Sequence, residues 1–414
     1  MNAEYQVPAG LADAADTASA EDTASAEHAV SAEHAVSAAS AGGMASTEAE
    51  VGGQDAVGAL DAAGAEDGAG AEDGIGAEGL AIPADALAGG QTAVPWPALD
   101  DPRTALSAVR AEVAKAVVGQ DPVVTGLLIA LLCQGHVLLE GVPGVAKTLL
   151  LRTLAASLRL ESKRIQFTPD LMPGDVTGSL IYDTRTSMFE FREGPVFTNL
   201  LLADEINRTP PKTQAALLEA MQERQVSVEG GARPLPDPFL VAATQNPVEY
   251  EGTYPLPEAQ LDRFLLKLTV AVPGREEEIS ILARHAAGFD PRDLAAAGVR
   301  PVAGAAELAA ARAAAGRLRV SPEITGYIVD LCRATRQSPS LLLGVSPRGA
   351  TALLATSRSW AWLSGRDYVT PDDVKALARP TLRHRVVLRP EAELDGTSAD
   401  AVLDAVLASV PVPR

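Results

Sequence analysis

The stretch His136-Val-Leu-Leu-Glu-Gly-Val-Pro-Gly-Val-Ala-Lys-Thr148 constrains this chain more than any other. An apolar strand over Val137 to Leu139 runs into a glycine-bearing turn, and Lys147-Thr148 then open a helix. Gly141 and Gly144 let the backbone curl with its amides pointing inward, a shape that cradles anionic phosphates at a helix amino terminus. Gly141, Val142, Pro143, Gly144, Val145, Ala146, Lys147 and Thr148 are therefore the candidate phosphate-binding residues. Lys147 would reach the β- and γ-phosphates as a compact charge, and the Thr148 hydroxyl would ligate Mg2+. The spacing departs from G-x-x-x-x-G-K-[ST] only at Ala146, where the pattern has glycine. Alanine serves there if its φ is negative, because only a left-handed conformation demands glycine.

Charge divides the chain unevenly. Of its 54 acidic residues, 18 lie in residues 1–100, which contain no Lys or Arg; the remainder has 36 acidic against 34 basic residues. Small residues in imperfect repeats fill this first segment, such as Ser25-Ala-Glu-His-Ala-Val30 and its copy at 31–36. It cannot bury enough apolar surface to offset its ordering entropy, so it reads as a disordered low-complexity extension, with an acidic interaction arm as the alternative. No apolar run with basic flanks opens the chain, and Leu127 to Leu132 is too short to span a bilayer. The expectation is a soluble, cytoplasmic protein without membrane insertion, with Cys133 and Cys332 as reduced core thiols.

From Pro102, apolar residues at 106, 109, 113 and 117 recur at helical spacing. A second helix starts at Asp121-Pro122, with Asp121 as its cap, and the Gly119-Gln120 corner between the two could line an adenine pocket with its backbone. Strands follow at Arg164 to Phe167, Leu200 to Asp204, Phe239 to Thr244 and Leu265 to Val270, alternating with helices. That alternation implies a doubly wound parallel sheet with ligand at the strands' carboxyl ends. Two β-hairpins interrupt it, at Gly178 to Arg192 and Gln225 to Leu235. Beyond Pro273 strands are not expected; helices at Ala305 to Leu318, Pro322 to Gln337, Pro347 to Leu363 and Pro371 to Leu377 form a helical lid. The domain reading is a tail over 1–100, an α/β nucleotide-binding domain over 101–272, a connector over 273–300 and a lid over 301–414.

Nucleotide hydrolysis needs positioning and charge compensation more than covalent chemistry. Asp204, delivered by an apolar strand to the same sheet edge as Lys147, would hold Mg2+ through water, and Glu205 would accept the proton of the attacking water. Asn246 would orient that water. Arg263, on the domain rim, cannot reach its own phosphates but could enter a neighbour's site, and Arg348 at the start of a lid helix would contact the γ-phosphate and report lid closure.

Together, Gly141 to Thr148, Leu201 to Glu205, Thr244 to Asn246, Leu261-Asp-Arg-Phe264 and Ser346-Pro-Arg348 resemble the AAA+ ATPases, and Asp204-Glu-Ile-Asn-Arg208 with Gln245-Asn-Pro247 and the two hairpins resemble the MoxR branch. Alanine at 146 resembles a usual variant of that branch. The resemblance covers about residues 104 to 388. It implies an ATP-hydrolysing, six-membered homo-oligomeric ring with nucleotide between subunits, Walker A at Gly141 to Thr148 and Walker B at Leu200 to Glu205. It further implies sensor 1 at Asn246, an arginine finger at Arg263, sensor 2 at Arg348, and a chaperone-like role toward a client protein, often with a von Willebrand factor A-domain partner. The alternatives are a low-turnover nucleotide-dependent scaffold and a chelatase or DNA-motor subunit. Nucleic acid is not expected, because the folded part has no basic excess and neither hairpin tip is rich in Lys or Arg.

Overall fold

The computed structural model describes residues 101–413 except 143, 229–230 and 246–252. The expected disorder of residues 1–100 and the roles given to Pro143 and Asn246 lie outside the described residues.

Two helices lead in, α1 (Pro102–Ala116) and α2 (Asp121–Leu132). Asp101 caps α1 by accepting the amides of Arg103 and Thr104. The cap position of α2 is Gln120, not Asp121, and no side chain caps it. Gln120 turns away, and its Nε2 donates to the Ala271 carbonyl at 3.0 Å. Next come β1 (Val137–Glu140), α3 (Lys147–Ser157), β2 (Ser162–Gln166), α4 (Pro173–Thr177) and the hairpin β3 (Gly178–Asp183) with β4 (Met188–Glu193). They are followed by β5 (Leu200–Asp204), α5 (Pro211–Glu223), the second hairpin β6 (Gln225–Val228) with β7 (Gly231–Pro234), β8 (Leu240–Gln245), α6 (Glu258–Leu261) and β9 (Leu266–Thr269).

Five strands make one parallel sheet in the order β2-β5-β8-β1-β9. Continuous apolar runs suit its inner strands, whose two faces are both covered. Leu139, Leu202 and Ala242 join a cluster with α1, α2 and α3, while Leu138, Leu201, Ala203 and Val241 join a second with α5. Both hairpins are antiparallel, as the alternating segments predict.

The remainder is mainly helical: α7 (Arg275–Ala286), α8 (Ala305–Gly316), α9 (Pro322–Gln337), α10 (Pro347–Leu363), α11 (Pro371–Leu382), α12 (Pro390–Leu394) and α13 (Ala399–Ser409). Ser321 and Ser346 cap α9 and α10, each with proline in the first turn, so both spans fall where the sequence places them. Residues 273–300 hold helix α7. Two expectations need correction. Strands do recur, since β10 (Leu341–Leu343) pairs antiparallel with β11 (Val387–Leu388); segments this short carry no readable period. And α11 passes Leu377 to end at Leu382 in spite of Pro380. Pro380 loses its own amide bond and crowds the carbonyl four residues back, and burial of Thr381 and Leu382 holds the last turn in spite of both.

These helices do not form a separately cored lid. Leu308, Tyr327, Leu353, Trp362 and Leu403 share one buried cluster with Val109, Leu128 and Leu139. Arg312 donates to the Leu131 carbonyl at 2.9 Å and Cys133 Sγ lies 3.2 Å from Ser359 Oγ, which ties α8 and α10 to the segment leading into β1. Among the described residues no helix is long and apolar enough to cross a membrane.

Candidate active site

The phosphate-loop residues bridge the carboxyl end of β1 and the start of α3. A Cβ on Gly141 would lie 2.6 Å from the Val270 carbonyl oxygen, so close backbone approach is what excludes a side chain there. Gly144 has φ 86°, as a curled loop requires. Ala146 has φ 60° and ψ 27°. The expectation of negative φ at this position is overturned: Ala146 sits in the left-handed region at a cost of about 1 kcal/mol relative to glycine.

Lys147 donates from Nζ to the Gly141 carbonyl at 2.9 Å. Burial lowers its pKa from the usual lysine value, and the charges of Asp204 and then Glu205 oppose that. Both carboxylates thus lie within electrostatic reach of the loop. Parallel pairing of β2 with β5 and of β5 with β8 delivers them. Asp204 is the last residue of β5, and Glu205 follows at φ 57°. Non-glycine residues in left-handed backbone cluster where structure serves function.

Four residues that the sequence reading did not name as site residues hold these two carboxylates. Thr244, buried at the end of β8, donates to Asp204 Oδ1 at 2.5 Å and accepts the Glu205 amide at 2.8 Å. Arg164 Nη2 reaches Asp204 Oδ2 at 2.7 Å. Gln166 Nε2 donates to Glu205 Oε2 at 2.5 Å, and Arg208 Nε lies 3.3 Å from the same oxygen. Their roles come from register, which the sequence does not show: Gln166 pairs with Asp204 and Arg164 with Leu202, so β2 sets both side chains beside the end of β5.

The Gly119-Gln120 corner is tied to the phosphate loop through the end of β9. Gln120 bonds to Ala271, Val270 donates to the Glu140 carbonyl at 2.8 Å, and Val270 abuts Gly141, so this corner closes on the loop's first residue.

Arg263, half-buried after α6, and Arg348, at the start of α10, line one open cavity of about 320 Å3 with Gln134, Gly135, Arg224 and Arg385. The cavity borders the segment ahead of β1, whereas the phosphate loop follows the other end, so about 13 Å of strand separates them. Arg348 thus lies with Arg263 rather than beside its own phosphate loop. Packing of α10 against α2 puts it there. Asp262 is the cavity's carboxylate, and Arg385 already takes it at 2.7 Å. Buried Arg385 also donates to the carbonyls of Phe264 and Leu265, fixing the turn that carries Arg263.

Comparison with known proteins agrees with this geometry. Residues 136–266 match the family described as "ATPase family associated with various cellular activities (AAA)", and residues 333–406 match the AAA lid domain. The chain is 45% identical over 312 residues to Chaperone MoxR1 of Mycobacterium tuberculosis, covering 73% of this chain and 81% of that one. It is 36% identical to Protein MoxR of Paracoccus denitrificans, over 72% of this chain and 93% of the relative. It is also similar to a crystallographically solved candidate ATPase of Cytophaga hutchinsonii, with TM-score 0.70, 41% identity and coverage of 76% of this chain and 96% of that one. A phosphate loop facing paired carboxylates, inside a fold matched by relatives of this identity and coverage, settles the family: the chain belongs to the MoxR-type AAA+ ATPases and hydrolyses ATP.

Proposed function

We propose that this ATPase is a cytoplasmic, chaperone-like remodeller that works as a ring, six-membered by family resemblance, with each nucleotide held between two copies. The observation that carries the reading is the convergence of Lys147, Asp204 and Glu205 at one sheet edge while Arg263 and Arg348 gather at a different, open face.

In this reading the loop amides and Lys147 hold the phosphates. The Thr148 hydroxyl and an Asp204 oxygen are hard donors that suit Mg2+, which keeps most of its coordination for water and phosphate oxygens. Such an ion would offset phosphate charge. Glu205 accepts the proton of the attacking water, Asn246 orients that water, and Gly119 with Gln120 borders the base. Arg263 and Arg348, set beside each other, enter the neighbouring copy's site and offset charge developing there.

The β3–β4 hairpin offers a contact for a client protein. Leu180, Tyr182, Phe189 and Phe191 alternate onto one face; Phe191 packs on Phe197, while Tyr182 and Phe189 are exposed. A von Willebrand factor A-domain partner rests on the family resemblance. The relative named Chaperone MoxR1 supports a chaperone role. Free Cys133 and Cys332, whose thiols burial pushes up to about 11, fit a reducing compartment.

The test is turnover with Glu205→Gln. Nucleotide should still bind while hydrolysis falls about 100-fold or more; unchanged turnover would remove Glu205 from the reaction. A second reading, a scaffold of low turnover, draws on the ties that Gln166 and Arg208 make to Glu205. Substoichiometric hydrolysis by the assembled ring would favour it.

A further inference from the structure

Arg164 stands on the edge strand β2, where a charged residue ordinarily serves only to discourage pairing with another chain. Its guanidinium is committed elsewhere. Nε and Nη2 both donate to Asp204 Oδ2, at 3.2 and 2.7 Å, and Nη2 also donates to Gln166 Oε1 at 2.8 Å. Gln166 then presents its amide nitrogen to Glu205 Oε2 at 2.5 Å. That orientation of the Gln166 amide is the one the chemistry demands, because a guanidinium only donates and a carboxylate only accepts. A single cation therefore touches one site carboxylate directly and steadies the other through one amide.

The other Asp204 oxygen is occupied by the Thr244 hydroxyl. Oδ2 is the one facing outward to Arg164, whose side chain is about half exposed while that of Asp204 is largely covered. A half-exposed guanidinium on a covered carboxylate can be displaced toward solvent; Thr244, buried on β8, cannot readily move.

We propose that Arg164 is a positioning residue, a tethered counter-cation that holds Asp204 and Glu205 in one hydrogen-bonded array and that a divalent ion has to displace from Asp204. This rests on the reading of Asp204 as the metal-side carboxylate. Arg164 then sets how much divalent ion the site requires, separately from how tightly the loop grips phosphate.

The experiment measures affinity for a fluorescent, non-hydrolysable ATP analogue as free Mg2+ is varied, using the full chain. Arg164→Ala should lower the half-saturating Mg2+ about three- to tenfold, the range of a partly exposed, two-nitrogen ion pair. Arg164→Lys, which keeps the charge without the fork, should fall between. Arg164→Gln gives the same readout should the alanine variant fold poorly. An unchanged or raised Mg2+ midpoint in both neutral variants overturns the proposal and leaves Arg164 as an edge-strand charge. Asp204→Asn separates the two levels of failure: it should flatten the Mg2+ dependence in wild-type and Arg164→Ala backgrounds alike. If it does not, the metal reading of Asp204 fails, and the role of Arg164 fails with it.

Discussion

The Thr244 hydroxyl donates to Asp204 at 2.5 Å and, on its other side, accepts the backbone amide of Glu205, so one buried side chain from β8 fixes the Asp204 carboxylate and the Glu205 backbone at the end of β5. Thr244→Val keeps the shape and removes the hydroxyl, leaving a covered amide without an acceptor. The expected cost is about 1–3 kcal/mol of stability. Turnover should fall about tenfold or more while nucleotide affinity changes little, because the loop is untouched. Thr244→Ser should restore most of both, and paired ATPase and nucleotide-binding measurements check it.

Arg263 and the pair Lys147 and Glu205 belong to different faces, and in the proposed ring two copies would complete each catalytic site. Arg263→Ala and Glu205→Gln should each abolish most turnover when assayed alone. Mixed, they should recover a fraction of wild-type activity, since some interfaces then join an intact Glu205 to an intact Arg263. No recovery on mixing, in samples shown by light scattering to co-assemble, would place Arg263 outside the reaction.

His136 lies between β8 and α5. Its Nδ1 accepts the Val241 amide at 3.0 Å, which makes Nε2 the donor to the Met221 carbonyl, also at 3.0 Å. Burial lowers its pKa to about 4 from the ordinary 6.5. Above pH 6.5 both folded and unfolded chains are neutral there. Between about 6.5 and 4 only the unfolded chain takes up the proton, so stability falls as pH drops through that window and levels off below it. The full loss is about 3 kcal/mol from this residue. His384, lowered mainly by burial, acts in the same direction. Denaturant unfolding between pH 7.5 and 4.5 measures the slope, and His136→Gln should flatten part of it.

The left-handed backbone of Ala146 gives a stability prediction of the opposite sign to most substitutions. Ala146→Gly relieves the Cβ clash and should stabilise the protein by about 0.5 kcal/mol, after the greater freedom of glycine in the unfolded chain is subtracted. Ala146→Val should destabilise it by about 1–2 kcal/mol, a branched side chain being worst suited to positive φ. Thermal unfolding without nucleotide reads both.

The sheet was legible because its inner strands are unbroken apolar runs, and the helices α9 and α10 because each announces itself with serine and proline. Lys147, Asp204 and Glu205 could be brought together from strand order alone. Thr244, Arg164 and Gln166 could not be assigned without knowing which strands are neighbours, since their roles come from register across three strands. Which face of the fold carries Arg348 was not legible for a related reason. Its helix begins where the sequence says, yet which end of the sheet that helix meets depends on its packing against α2, a long-range choice that leaves no local mark. Backbone sign at Ala146 was likewise invisible, because alanine is compatible with either hand at modest cost.

The apolar cluster that runs unbroken from Leu139 in the sheet to Leu353 and Leu403 in the helices sets a limit on motion. Wetting even 500 Å2 of it would cost about 12 kcal/mol, too much to repeat at every turnover. In the proposed ring each copy would therefore move as one stiff block, and the mechanical stroke would be taken up at the joints where one block meets the next.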